Sequence, residues 1–198
     1  MHSYLIDEEI KKLFFLITIV LAIVSGWLFN QILLYLPFSI PWWMETPSVL
    51  GIFGVYFWLF NNHLWNKWPL KRLVWFKIPD LNGKWDVLIT SSYQGFEEEI
   101  PAKAVIRQTA TRLCVSLETD RSRSYSTSGS LLKTERLNTF ELIYQFINQP
   151  KPDAISTMAN HYGTTWLTIE DDQSIEGEYY SGRGRQQFGR IRFFRKSE

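Results

Sequence analysis

Two hydropathy patterns divide the chain. Leu13 to Leu36 reads LFFLITIVLAIVSGWLFNQILLYL, an apolar run whose clearly polar members are Thr18, Ser25, Asn30 and Gln31. As a helix rising 1.5 Å per residue it reaches about 36 Å, more than the roughly 30 Å hydrocarbon core of a bilayer. A second apolar run, Val49 to Phe60, extends through Asn61, Asn62 and His63 to Trp65, so that residues 47–65 predict a second span. Trp42 and Trp43 stand ahead of it, and Trp65 and Trp68 at its far end, where aromatic rings favour the headgroup level. Prolines in the connecting stretch PFSIPWWMET stop helix continuation. A secretory signal peptide fits poorly, because the first run exceeds a typical apolar signal core and no small-residue cleavage site follows it. A buried helix of a soluble protein is the remaining alternative for it.

From Asp80 onward the pattern becomes alternation. Thr, Val, Ile, Tyr and Phe recur in short stretches bounded by turn residues. Eight strands are predicted: Lys84–Ser92, Lys103–Thr109, Arg112–Glu118, Ser124–Lys133, Asn138–Ile147, His161–Glu170, Ile175–Ser181 and Phe188–Arg195. No segment there carries a 3.6-residue period, which argues against βαβ units. Short links between successive strands predict an antiparallel meander. About eight strands is the size that closes into a small lipocalin-like β-barrel around side chains or one small ligand. A β-sandwich is the alternative.

The alternation also assigns faces. Trp85, Val87, Ile89 and Ser91 share one face of their strand, as do Ala104, Ile106 and Gln108, and then Leu113, Val115 and Leu117. Phe140, Leu142, Tyr144 and Phe146 share another, as do Thr165, Leu167 and Ile169, then Ile175, Gly177 and Tyr179, and finally Ile191 and Phe193. Counting back from Leu131 puts Tyr125 and Thr127 inward. A mostly apolar interior would then hold Ser91, Gln108, Tyr125, Thr127, Tyr144 and Tyr179. Interior polar groups need partners from the protein, water or a ligand, and an apolar cavity with a few placed polar groups is the usual form of a small-molecule site. Ser122, Ser124, Ser126, Ser128 and Ser130 alternate along one face, either a hydrogen-bonding ladder or a polar outer surface.

Charge sharpens the division. The 198 residues carry 21 Lys plus Arg and 20 Asp plus Glu, a net charge of +1, which removes the bulk electrostatic argument for coating a nucleic acid. Between Lys12 and Lys67 there is no Lys or Arg and one acid, Glu45. A membrane anchor, residues 1–78, joined to a soluble domain, residues 79–198, accounts for this distribution. Lys11 and Lys12 precede the first span, and Lys67, Lys71 and Arg72 follow the second, so the positive-inside rule places both termini in the cytoplasm.

The candidate chemistry is that of binding. Cys114 is the sole cysteine, which excludes an internal disulfide framework and a Cys-based zinc site. His2, His63 and His161 form no metal-ligand spacing, and no nucleophile elbow, phosphate loop or dinucleotide fingerprint occurs, so no catalytic residue, metal or cofactor is predicted. Near the C-terminus the loop Ser181–Gly182–Arg183–Gly184–Arg185 pairs glycines with guanidinium groups, a combination suited to a phosphate-bearing ligand or to a solvated hairpin.

The chain resembles a known family, the two-transmembrane, β-strand-rich effectors of CBASS, the cyclic-oligonucleotide anti-phage signalling systems of bacteria. The resemblance rests on the order of parts and on Leu81–Asn82–Gly83–Lys84–Trp85, Thr119 with the Ser122/Ser124/Ser126 run, and Leu142–Ile143–Tyr144 leading to Asn148 and Pro150. His161–Tyr162–Gly163–Thr164 and Gly177–Glu178–Tyr179–Tyr180 complete it. One departure is Gln145–Phe146, where a second tyrosine near Tyr144 is expected. The resemblance implies a cytosolic barrel that binds a cyclic nucleotide, a cyclic dinucleotide in the first instance, made by a partner CD-NTase. It further implies homo-oligomerisation in the inner membrane and lethal membrane disruption. On that reading Tyr144, Tyr179 and Gln108 would stack on or contact bases. Ser91 and Tyr125 would offer hydroxyls, and Arg183 and Arg185 would hold phosphate. A membrane-anchored carrier of an apolar molecule and a two-span scaffold are the competing readings.

Overall fold

A computed structural model describes residues 1–6, 8–33, 35, 42–67, 78–134, 139–170, 173–182 and 186–196. The chain divides into two compact units, Met1–Asp7 with Ile78–Glu198, and Glu8–Lys77. The first seven residues, expected with the anchor, therefore fall with the β-rich unit.

The helical unit contains α1 (Glu8–Leu33) and α2 (Trp42–Leu59), the latter continued by a π-helical turn over Phe60–Leu64. Among the described residues one helical stretch, Ile10–Ile32, is long and apolar enough to cross a membrane by length and composition. The second predicted span corresponds to α2 and its π turn, but its regular helix is 18 residues long. Within this unit Ser25 Oγ and Tyr56 Oη, on different helices, hydrogen-bond at 2.7 Å, and the Phe14 ring meets those of Phe57 and Phe60 at 5.3 and 4.4 Å. Thr18 returns its hydroxyl to the Phe14 carbonyl at 2.9 Å, which keeps its polar group satisfied inside an apolar helix. His63 packs edge-on to Trp58.

The β unit is an eight-stranded antiparallel barrel. Its strands are β3 (Gly83–Ser91), β4 (Glu99–Gln108), β5 (Arg112–Glu118), β6 (Ser122–Thr134), β7 (Thr139–Pro150), β8 (His161–Ile169), β9 (Ser174–Ser181) and β10 (Phe188–Arg195). Each pairs with its sequence neighbour, β10 pairs with β3, and β5 closes the ring on β6. Two short N-terminal strands, β1 (His2–Ser3) and β2 (Leu5–Ile6), pair with β5 and β6 respectively. Closure removes the free sheet edges that a sandwich of these strands would leave.

The predicted faces hold for seven of the eight strands. Trp85, Ile106, Leu113, Leu131, Leu142, Leu167, Ile175 and Phe193 are fully buried and fill one end of the barrel. Trp85 meets Phe193 edge-on, its Nε1 donates to the Leu81 carbonyl at 3.0 Å, and the Arg195 guanidinium lies 4.7 Å from its ring centroid. β6 is the exception. Its register with β7 jumps between Ser126 and Ser128, a β-bulge that inserts Thr127 as an extra residue. One extra residue inverts every side chain beyond it. Ser122 and Ser126 are consequently buried, while Tyr125 is 39% exposed and Thr127 faces solvent. The inward assignment of Tyr125 and Thr127 is corrected accordingly.

Candidate functional site

The other half of the barrel is open. A cavity of about 310 Å³ lies there, bounded by the strand ends and by the turns that follow β3, β5, β7 and β9. Its apolar wall includes Ile89, Ile100, Leu117, Phe146, Met158 and Ile191. Its polar groups include Ser91, Gln94, Thr119, Ser122, Ser124, Asn148, Thr165 and Ser181, with the hydroxyl-bearing rings of Tyr93, Tyr144 and Tyr179. Volume and composition match a small-molecule site.

Two glycines make room for the cavity aromatics. Gly163 lies opposite Phe146 in the β7–β8 ladder, and a Cβ there would fall 2.3 Å from Phe146 Cζ. Gly189 lies opposite Tyr179 in the β9–β10 ladder, and a Cβ there would fall 2.6 Å from Tyr179 Cε1. Each ring thus lies across the bare backbone of its partner strand, which fixes the ring against the wall.

The hydrogen-bonding groups are held in place. Ser91 Oγ accepts from the Tyr93 amide at 3.2 Å at the start of a 3₁₀ turn, Ser92–Gln94. Gln94 Nε2 donates to Glu98 at 2.7 Å. Gln94 Oε1 is buried and, among the described residues, meets no donor, so it can accept from a ligand N–H. The β5–β6 turn is tied by Thr119, whose Oγ1 accepts from the Ser122 amide at 3.0 Å. That turn presents Asp120 and Arg121, and Arg121 Nη2 donates to Thr157 at 2.7 Å. His161 Nδ1 stands 3.1 Å from the Ala159 carbonyl, which can only accept, so Nδ1 carries the proton. Burial pushes the Tyr144 hydroxyl up to about 12, a hydrogen bond with Thr165 offsetting part of the rise. Tyr144 therefore remains a neutral donor at any cellular pH.

The sequence-predicted residues separate in the structure. Ser91, Tyr144 and Tyr179 come together on the cavity wall. Gln108 is buried at the opposite end, where its Oε1 accepts from the Leu81 amide at 2.9 Å and its Nε2 donates to Tyr4 Oη at 3.3 Å. It seals the closed end and is not part of the cavity. Tyr125 lines a different depression of about 430 Å³ with Lys84, Lys103, Arg123 and Lys196. Arg123 there already pairs with Glu118 at 3.0 Å. Lys151 and Arg123 hold the Glu118 carboxyl below the usual carboxylate range. Arg183 and Arg185 lie outside the described residues; Ser181 and Gln187, on either side of them in the sequence, line the cavity.

Arg121, Asn148 and His161 were missing from the predicted set, as were Ser122 and Ser124. The serine alternation on β6 was the available signal for the last two, but its face could not be assigned without the bulge. Among the described residues no group of three or more His, Cys, Asp or Glu could hold a metal ion.

Comparison with known proteins bears on this cavity. Residues 76–195 match the family model described as Cap15, cyclic dinucleotide receptor domain. Over 178 residues the chain is 32% identical to CD-NTase-associated protein 15 of Yersinia aleksiciae, covering 87% of this chain and 81% of that protein.

Proposed function

Because the chain belongs to the Cap15 cyclic dinucleotide receptor family, we propose that the open half of its barrel is the cyclic dinucleotide site of a CBASS effector. The observation that carries the assignment is the lining. Aromatic rings locked across Gly163 and Gly189 offer stacking surfaces, and a ring of hydroxyls and amides surrounds them. Base–aromatic stacking contributes about 1–3 kcal/mol per base. A cyclic dinucleotide presents two bases and two phosphodiesters. Tyr179 and Phe146 would take base faces, Gln94 Oε1 and Asn148 base edges, and Arg121 a phosphate, with Arg183 and Arg185, expected from the sequence to hold phosphate, as further cations. An apolar carrier would not need so many hydroxyls.

The protein would act by binding and not by catalysis. Its nucleotide comes from a CD-NTase, and its output is exerted by the helical unit. Ile10–Ile32 would form one membrane span and α2 with its π turn the other. Lys11, Lys12 and Lys67 flanking them favour cytoplasmic termini by the positive-inside rule, as for a multi-pass effector of the bacterial inner membrane. Nucleotide binding would favour homo-oligomers that breach the bilayer and kill the infected cell. Because equal affinity for two states shifts neither, the ligand must bind the assembled form more tightly.

Equilibrium binding to the full chain in detergent micelles tests the site, using cyclic di-AMP, cyclic di-GMP and cyclic GMP–AMP with their linear forms as controls. One cyclic form should bind selectively, and Tyr179→Ala should weaken it at least tenfold. Equal binding of cyclic and linear forms, or no effect of Tyr179→Ala, would overturn the assignment. Dye release from vesicles holding the full chain tests the output, which should require the same nucleotide.

A further inference from the structure

The β5–β6 junction closes the barrel with a short ladder. Ser116, Leu117 and Glu118 pair with Tyr125, Ser124 and Arg123, and beyond them β5 and β6 pair through other partners. Backbone groups of two diverging strands need partners. The first six residues supply them. His2 and Ser3 pair antiparallel with Leu113 and Arg112, and Leu5 and Ile6 pair parallel with Ser130 and Leu131. A strand lying between two antiparallel neighbours must run with one and against the other, so β1 and β2 act as a single strap along the seam.

The strap is anchored by side chains as well. His2 Nε2 meets Ser126 Oγ at 2.7 Å, and that oxygen accepts from the Val115 amide at 2.9 Å, which bridges the seam where the direct ladder ends. Tyr4 is 8% exposed; its hydroxyl donates to the Thr109 carbonyl at 3.2 Å and accepts from Gln108. Ser126 shares its strand face with Ser122 and Ser124, both on the cavity wall. Cavity wall, seam and strap are therefore consecutive along β6. The strap ends at Ile6, and α1 begins at Glu8, leaving one residue between them.

We propose that this strap is a mechanical link between the nucleotide cavity and the membrane helix: a nucleotide in the cavity and the strap in the seam stabilise each other. The inference rests on the reading of the cavity as the nucleotide site. In the chain α1 follows the strap after one residue, so a change in the strap's pairing would be passed to the start of that helix. By linkage, freeing the strap must weaken nucleotide binding by the same factor as nucleotide tightens the strap, and couplings of this kind commonly span about 5- to 150-fold.

The test uses the full chain in detergent micelles, with cyclic di-AMP, cyclic di-GMP and cyclic GMP–AMP as probes and hydrogen exchange of residues 3–6 as one readout. In the wild type these amides should exchange more slowly than in a free peptide, and the binding nucleotide should slow them at least fivefold further. The variant His2→Gly/Tyr4→Gly/Leu5→Ser/Ile6→Gly keeps the length but frees the strap, and should bind that nucleotide at least fivefold more weakly. A second variant, Ser3→Cys/Arg112→Cys in a Cys114→Ser background, locks the strap when oxidised and should keep wild-type affinity. Strap amides exchanging at the free-peptide rate, unchanged affinity in the freed variant, or weaker binding on oxidation of the locked variant would each overturn the link. Should the freed variant not fold, the locked variant and the wild-type exchange rates decide. Failure of the cavity reading is distinguishable, since no nucleotide would then bind the wild type.

Discussion

Replacing Gly163 with alanine would place a Cβ 2.3 Å from Phe146 Cζ and 2.5 Å from the Tyr180 carbonyl oxygen. The first obstacle is the far end of a side chain, which can swing. The second is the backbone of β9, held in register with β8 from Gly163↔Ser181 to Ile169↔Ile175. That gap must open from 2.5 Å to at least 3.0 Å, because real Cβ atoms essentially never approach more closely. Overpacking of this kind costs about 1–3 kcal/mol. In a domain of this size each kcal/mol lowers the melting temperature by about 4 °C, so Gly163→Ala should melt about 4–12 °C below the wild type. The displaced Phe146 ring would turn into the cavity and weaken nucleotide binding as well. Thermal unfolding of the full chain in detergent, followed by near-ultraviolet circular dichroism, reads the first effect. Gly51→Ala is the control, since a Cβ there meets nothing within 4 Å. If Gly163→Ala melts within about 2 °C of the wild type, the close approach of the Tyr180 carbonyl to Gly163 is wrong.

Other outcomes follow from the same geometry. Arg121→Glu should weaken cyclic dinucleotide binding at least tenfold, about 1.4 kcal/mol, by removing the cation at the β5–β6 turn; titration calorimetry measures it. Tyr144→Ala should abolish binding while Tyr125→Ala leaves it within about twofold, and the reverse result would put the nucleotide in the depression that Tyr125 lines. Burial pushes the Tyr4 and Tyr144 hydroxyls up to about 12, so their contribution to stability is complete below the unfolded value near 10 and is lost as pH climbs through 12. Melting temperature should therefore fall between pH 10 and 12, and Tyr144→Phe should flatten that decline.

Much of the barrel was legible because period-two alternation is a direct record of burial. Phe188–Arg195 and Arg112–Glu118 are strands with the predicted bounds, and Trp85, Leu142 and Phe193 point where alternation put them. The failures trace to what alternation does not record. A single inserted residue, Thr127, reversed β6 beyond the bulge, exchanging Tyr125 for Ser124 at the cavity. Gln108 has the right phase but the wrong end, because alternation gives the face of a strand and not the depth along it. Arg121 is in a turn, where no period exists, and is held at the cavity by the Thr119 hydrogen bonds of that turn and by Thr157. The strap was hidden for another reason: two-residue strands are too short to show a pattern, and their partners are more than 100 residues away.

Photolabelling with an azido-base analogue of the cyclic dinucleotide that binds the full chain tests the central claim most directly. Two concavities compete for it, the barrel interior and the basic outer depression around Tyr125. Labelled peptides should come from residues 119–124, 144–148 and 179–181, and unlabelled nucleotide should suppress them. Label concentrated at Lys84, Lys103 and Lys196, or label that competitor does not suppress, would contradict the account.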